Sequence, residues 1–194
     1  EDQNGNRIKG ILYSESKAKI EKLSIKNEKQ AKDLKSRLIK NNFIIEDVLK
    51  KEKKRSPYSP FSNSLLLQDA SSKLGFSPKY TNSLAQQLKD GISNLGALIT
   101  YHRSDSNKMK QSEIQNLRSI ISDQFGGNYL PSNEIIYKEK SKFVQQGHEA
   151  VTPTQLERKP EDVKSELDND QYRLYELIWK RTIASQMEQS KNLE

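Results

Sequence analysis

Gly96-Ala97-Leu98-Ile99-Thr100-Tyr101-His102-Arg103-Ser104-Asp105-Ser106 is the stretch from which the rest of this chain is read. The apolar run Ala97 to Ile99 predicts a buried element, a strand, that delivers Tyr101 to its edge. Arg103, two residues on, adds a permanent cation, and Ser104-Asp105-Ser106 is expected to cap whatever follows. A tyrosine hydroxyl is a poor nucleophile near neutral pH because its pKa is about 10. Beside a guanidinium that can grip a phosphate with two parallel hydrogen bonds, the same hydroxyl becomes a candidate for attack at phosphorus. The plainer reading is a strand that ends in a surface tyrosine and a turn.

Around this stretch the pattern is mostly helical. Upstream, Ser62 to Leu74 places Leu66, Ala70 and Leu74 at helical spacing and stops at Gly75, the expected left-handed cap. Ser77-Pro78 starts a second helix that presents Thr81, Leu84, Ala85 and Leu88 and ends at Gly91. Two short helices with a Gly-containing turn resemble a helix-turn-helix, a shape used both for DNA binding and for packing. Downstream, Gln111 to Phe125 predicts a helix with Ile114, Leu117, Ile120 and Ile121 inward. Residues 129–143 read as loop with room for a short strand, Pro160 to Leu167 as a short helix, and Asp170 to Met187 as a long one with a wide apolar face.

The first part of the chain reads differently. Residues 7–25 predict two short strands joined as a hairpin. Ala31, Leu34, Leu38 and Ile39 then share a helical face behind a possible Asn27 cap, and Phe43 to Leu49 reads as another strand. Lys50 to Arg55, Lys-Lys-Glu-Lys-Lys-Arg, is the densest basic run, either a solvated connector or a phosphate contact. Ser56-Pro57-Tyr58-Ser59-Pro60 is a stiff linker, since each proline biases the preceding residue out of the helical region. The expected division is therefore an αβ piece at 1–56, a helical domain at 57–187 that carries Tyr101, and a tail at 188–194. The fold class is α+β, mainly α. Leu193-Glu194 reads as an added end, and the chain as a piece of a longer protein.

Composition bounds the function less tightly. Of 194 residues, 32% are hydrophobic and 30% charged, which predicts much solvated surface. Thirty-three Lys and Arg against 26 Asp and Glu give a formal charge of +7, and such an excess favours a polyanion partner. With no cysteine there is neither a disulfide framework nor a thiolate zinc site, and His102 and His148 are too few for an all-histidine metal site. Cysteine absence fits a reducing cytoplasm. No apolar stretch approaches the roughly 20 residues that span a bilayer.

The Tyr101 stretch resembles the active-site motif of bacterial type IA DNA topoisomerases, whose usual form is Gly-x-Ile-Thr-Tyr-Met-Arg-Thr-Asp-Ser. The resemblance runs in family order over about residues 43–187. Pro60-Phe61 and Leu66 to Phe76 are similar to the segment before the nucleophile. Ala85-Gln86-Gln87-Leu88 is similar to an Ala-Gln-x-Leu helix, and His148-Glu149-Ala150 with Pro153 to a His-Glu-Ala-Ile-Arg-Pro box. Asp170 to Trp179 is similar to the late helix.

The resemblance implies that Tyr101 forms a 5′-phosphotyrosine with DNA and that Arg103 stabilises charge on the non-bridging oxygens. It implies that His148 contacts the phosphate near the nucleophile and that Gln86 lies on a helix near the strand, the plainer reading of Gln86 being an exposed helix residue; Thr100 holds the loop, and Glu149 either orients His148 or is a loop carboxylate. Negatively supercoiled DNA would be the substrate, relaxed by strand passage in the cytoplasm. Mg²⁺ and the proton donor would come from an acidic domain of the same polypeptide outside this chain. Asp168-Asn169-Asp170 is the nearest acidic cluster here and belongs to the late helix, so no metal ligand is assigned. The small sheet would be an incomplete part of an arch whose returning strands lie beyond the chain. There are departures: Thr152 replaces the family arginine, His102 a methionine, Ser104 a threonine, and Lys89-Asp90 a Tyr-Glu. They leave open a non-catalytic DNA-binding module of the same fold, and composition alone would admit a plain interaction domain.

Overall fold

The structure is a computed structural model and describes residues 10–15, 18–21, 24–40, 44–137 and 149–193. The chain divides into two compact units, 1–49 and 50–194. The architecture is α+β and mainly helical, with two two-stranded antiparallel sheets.

In the first unit, strands β1 (Ser14–Glu15) and β2 (Ala18–Lys19) form the expected hairpin, but the ladder is far shorter than the sequence suggested. Helix α1 (Glu28–Ile39) is capped by Asn27, whose side chain accepts from the Gln30 N–H at 2.9 Å. Its apolar face, Ala31, Leu34, Leu38 and Ile39, lines an open groove with Ile25, and no residue of α1 is buried. Residues 44–49 form no strand, contrary to the reading of Phe43 to Leu49 (Phe43 itself lies outside the described residues). A strand needs a neighbour for its backbone groups. Among the described residues none lies alongside, and Ile44, Ile45, Val48 and Leu49 are exposed.

The second unit holds the core. Helices α2 (Asn63–Leu74) and α3 (Pro78–Asp90) start and stop close to where the sequence placed them. Gly75 closes α2 at φ 76°, a left-handed conformation that costs glycine little. The Ser77 hydroxyl accepts from the Tyr80 N–H to open α3. Helix α4 spans Gln111–Phe125 and α5 spans Asn169–Ala184. The segment expected to be a short helix after Pro160 is a 3₁₀ stretch, Pro160–Glu166. Another 3₁₀ turn, Gly127–Tyr129, follows α4, and no strand forms in 130–137.

Helix α5 is the spine of this unit. Leu174, Tyr175, Ile178, Trp179 and Ile183 are buried and share one core with Leu66 and Ala70 of α2, Leu84 and Leu88 of α3, and Leu117 and Ile121 of α4. Each such side chain contributes roughly 1.5–3 kcal/mol by leaving water. The polar ends of the two aromatics are satisfied: Tyr175 Oη donates to the Arg158 carbonyl at 2.8 Å and Trp179 Nε1 to Leu156 at 3.0 Å. Burial pushes the Tyr175 hydroxyl up to about 12, so it stays a donor.

Two expectations change at the ends of this unit. The basic run is no loop: Glu52–Arg55 is strand β3, antiparallel to β4 (Ser190–Leu193). Residues 188–194 are therefore not a plain tail, and a strand does follow the late helix within the chain. Their pairing joins residues 50–56 to the helical unit, so the division falls ahead of the proline-containing linker. Periodicity missed both strands because, Leu193 apart, their side chains are charged or polar, with no apolar face to alternate. None of the described helices is long and apolar enough to cross a membrane.

Candidate active site

The Tyr101 segment is clamped between the end of α3 and residues 150–154. Gly91, at φ 106°, turns the chain back so tightly that a Cβ there would meet the Gly96 carbonyl carbon at 3.0 Å. The Leu98 N–H then donates to the Leu88 carbonyl at 2.8 Å. No continuous strand forms, in contrast to the sequence reading; single bridges join Ile99 to Pro153 and Phe61 to Val151. Threonine side chains supply the missing rungs. Thr100 N–H donates to the Thr152 carbonyl at 2.9 Å, and the Thr100 hydroxyl donates to Ala150 at 2.8 Å while accepting from Thr152 N–H at 3.0 Å. Thr154 N–H donates to Leu98 at 3.0 Å and its hydroxyl to Ala97 at 2.6 Å.

From Thr100 onward the burial alternates without interruption. His102, Ser104 and Ser106 are buried, whereas Tyr101, Arg103 and Asp105 are exposed, Tyr101 at 48%. The phenol and the guanidinium are thus both exposed on an anchored segment. Among the described residues Arg103 makes no hydrogen bond or ion pair. Ser104 and Ser106 do not cap a helix as expected. Their hydroxyls accept from the N–H groups of Ser106 and Lys108, each at 3.2 Å, and hold the turn that precedes α4.

Sequence reasoning missed Asn63 at the start of α2. Its N–H donates to the Ser104 carbonyl at 2.7 Å, and its Nδ2 donates to the His102 carbonyl at 2.9 Å and to Asn82 Oδ1 at 3.2 Å. An asparagine in a helical first turn carries no signal of a partner some forty residues on.

His102 has no exposed surface and neither ring nitrogen has a hydrogen-bond partner among the described residues. Its ring lies 5.9 Å from that of Tyr101, tilted by 53°. Burial holds it below the usual histidine range, Arg103 and Lys89 push the same way, and Asp90 opposes them. The folded chain thus favours the neutral imidazole more than the unfolded chain does. Stability from this source is therefore present above about pH 6.5 and falls as the pH drops below it. His102→Met, the family residue, is expected to flatten the loss of melting temperature between about pH 7 and about pH 5. Thermal unfolding of both chains across that range checks it, and equal slopes would refute the assignment.

The last turn of α3 flanks this segment. Gln86 is half-buried and donates to Asp90 Oδ2 at 2.7 Å, while Lys89 pairs with Asp90 at 3.0 Å. The Gln86 hydrogen bond, then Lys89, holds the Asp90 carboxyl below its ordinary range. Gln86 therefore lies near the Tyr101 segment with its amide engaged. His148 lies outside the described residues. Glu149 pairs with Lys110 at 2.8 Å, and Thr152, in the family arginine position, is buried.

The acidic cluster does not suit a cation. Asp168 caps α5 by accepting from the N–H groups of Asp170 and Gln171, and Asp170 is held by the Tyr80 hydroxyl at 2.9 Å and Arg173 at 3.2 Å. Among the described residues no other His, Asp and Glu side chains converge as metal ligands.

A family model described as DNA topoisomerase matches residues 3–194, and the chain belongs to the bacterial type I DNA topoisomerase family. It is 47% identical over 174 residues to DNA topoisomerase 1 of Rickettsia bellii, a match covering 88% of this chain and 22% of that protein. DNA topoisomerase 1 of Rickettsia prowazekii is 42% identical over 192 residues, covering 97% and 25%. The solved structure of full-length topoisomerase I from Thermotoga maritima superposes with a TM-score of 0.69 at 36% identity, covering 83% of this chain and 26% of that one. The chain thus spans 22–26% of the length of these relatives.

Proposed function

We propose that this chain is the nucleophile-bearing part of a type IA topoisomerase that relaxes negatively supercoiled DNA in the cytoplasm. Tyr101 Oη attacks a backbone phosphorus, a Tyr–O–P bond forms and the P–O3′ bond breaks. The phenol proton is lost, the freed 3′ oxygen takes one up, and the 5′ phosphate stays on Tyr101. Reversal by the 3′ hydroxyl reseals the strand after passage, and the phosphotyrosine conserves the bond energy between the steps. Arg103 sits where a guanidinium can bind the non-bridging oxygens as charge builds on them. The resemblance assigns contacts with the strand to Gln86 and His148. What supports the reading is the exposure of Tyr101 and Arg103 on a backbone held by the Thr100 hydroxyl and by the Asn63 hydrogen bond to the His102 carbonyl. Mg²⁺ and the leaving-group acid belong to the rest of the polypeptide in this reading, and no step on this chain runs through the metal.

The isolated chain is accordingly expected to leave supercoiled plasmid unrelaxed in the presence of Mg²⁺ over a range of protein concentrations. Gel assay measures this, and relaxation by the bare chain would mean that its own carboxylates complete the site. The departures at Thr152, His102 and Lys89-Asp90 motivate a second reading, a DNA-binding module without cleavage. A covalent adduct formed by the longer protein separates the two.

A further inference from the structure

The β3–β4 ribbon is the least economical feature of the second unit. Register places Lys54 directly opposite Lys191 and Lys53 opposite Asn192, and all four residues of β3 are exposed. Directly opposed like charges, with Cβ atoms about 4.5–5.5 Å apart, destabilise a strand pair. The acid nearby, Glu52, reaches Lys191 only at 3.8 Å, and both side chains are about half exposed or more. Such a pair gains most from an external anion lying across both ammonium groups.

We propose that this ribbon is a second DNA-contact surface, which holds duplex DNA through its phosphates without reading sequence. The proposal rests on the topoisomerase reading for its choice of polyanion but uses neither Tyr101 nor Arg103. Duplex is favoured over single strand by its charge density. Proteins that bind single strands add aromatic platforms on which bases stack. Tyr58 beside the ribbon is exposed, but its ring already carries the Arg55 and Arg181 guanidinium groups, 5.1 and 4.7 Å from its centre, and Arg55 also donates to its hydroxyl. An exposed cationic strip suits the denser charge of a duplex, one per about 1.7 Å of axis.

The test is the salt dependence of binding by the whole chain to a short duplex and to one of its strands. For Lys54→Gln/Lys191→Gln the duplex slope of log affinity against log salt is expected to fall by about 1.8, two phosphate contacts' worth. The affinity ratio between about 50 and about 200 mM salt then shrinks on the order of ten-fold, with little change for the single strand. Glu52→Gln should do the reverse and tighten duplex binding, a gain that misfolding cannot imitate. An unchanged duplex slope in the double variant, or an equal fall on the single strand, overturns the proposal. If the ribbon fails while the longer protein still forms the Tyr101 adduct, the topoisomerase reading stands; if the adduct is missing, that reading fails on its own account.

Discussion

Tyr101→Phe is expected to abolish covalent protein–DNA adduct in the longer protein while non-covalent DNA binding survives. The substitution removes one oxygen from a half-exposed ring and leaves intact the Thr100 and Thr152 hydrogen bonds that position the backbone. Arg103→Ala keeps the nucleophile and removes a charge-assisted contact worth on the order of 1.5–3 kcal/mol. Cleavage should therefore slow by roughly 10- to 150-fold rather than vanish. His148→Ala should cost less than either, because the cation expected beside it is replaced by a buried threonine at Thr152. Trapping the adduct on strands labelled at the 5′ or the 3′ end, followed by peptide mapping, reads all three. Linkage through any other residue, or an adduct that persists in Tyr101→Phe, would overturn the mechanism.

The helical half was legible because its signals are local. Gly75 ends α2, Ser77-Pro78 opens α3, and the apolar faces of α4 and α5 repeat at helical spacing, so each element announces its own limits. Elements that depend on a distant partner were not legible. Residues 44–49 carry a strand's apolar content yet find no ladder among the described residues, whereas Glu52–Arg55 carries none and is a strand because β4 lies beside it. The candidate site divides the same way. Tyr101 and Arg103 stood out by motif, and Thr100 as the residue that holds the loop, but Asn63 and the Thr154 hydroxyl act across long stretches of sequence. His102 reads as a departure from the motif, and only the fold reveals a buried ring whose two nitrogens have no partner among the described residues.

That dependence on distant partners makes Phe61 the position where stability and site are expected to fail together. Its side chain is fully buried, its carbonyl accepts from Val151 N–H at 2.7 Å, and the Arg181 guanidinium lies 4.7 Å from its ring centre. Arg181 is itself nearly buried, donating to the Ser59 carbonyl at 2.6 Å and pairing with Asp69 at 3.2 Å, so α5 is tied to α2 across this ring. Phe61→Ala should cost about 3–5 kcal/mol through lost burial and the cavity left behind. A domain of this size has about 5–15 kcal/mol to lose. The melting temperature of the chain is therefore expected to fall by roughly 6–20 °C. Where the variant is still folded, the residue 61 carbonyl that accepts from Val151 N–H is no longer fixed by a packed ring, and the Thr152–Thr100 hydrogen bonds beside Tyr101 loosen with it. Small misplacement of a nucleophile is costly, so adduct yield at a permissive temperature should drop as well. Phe61→Leu keeps most of the volume and should recover most of both. Thermal unfolding of the chain and adduct yield in the longer protein measure the two effects. A Phe61→Ala variant that melts with the parent would show that this ring does not hold the core.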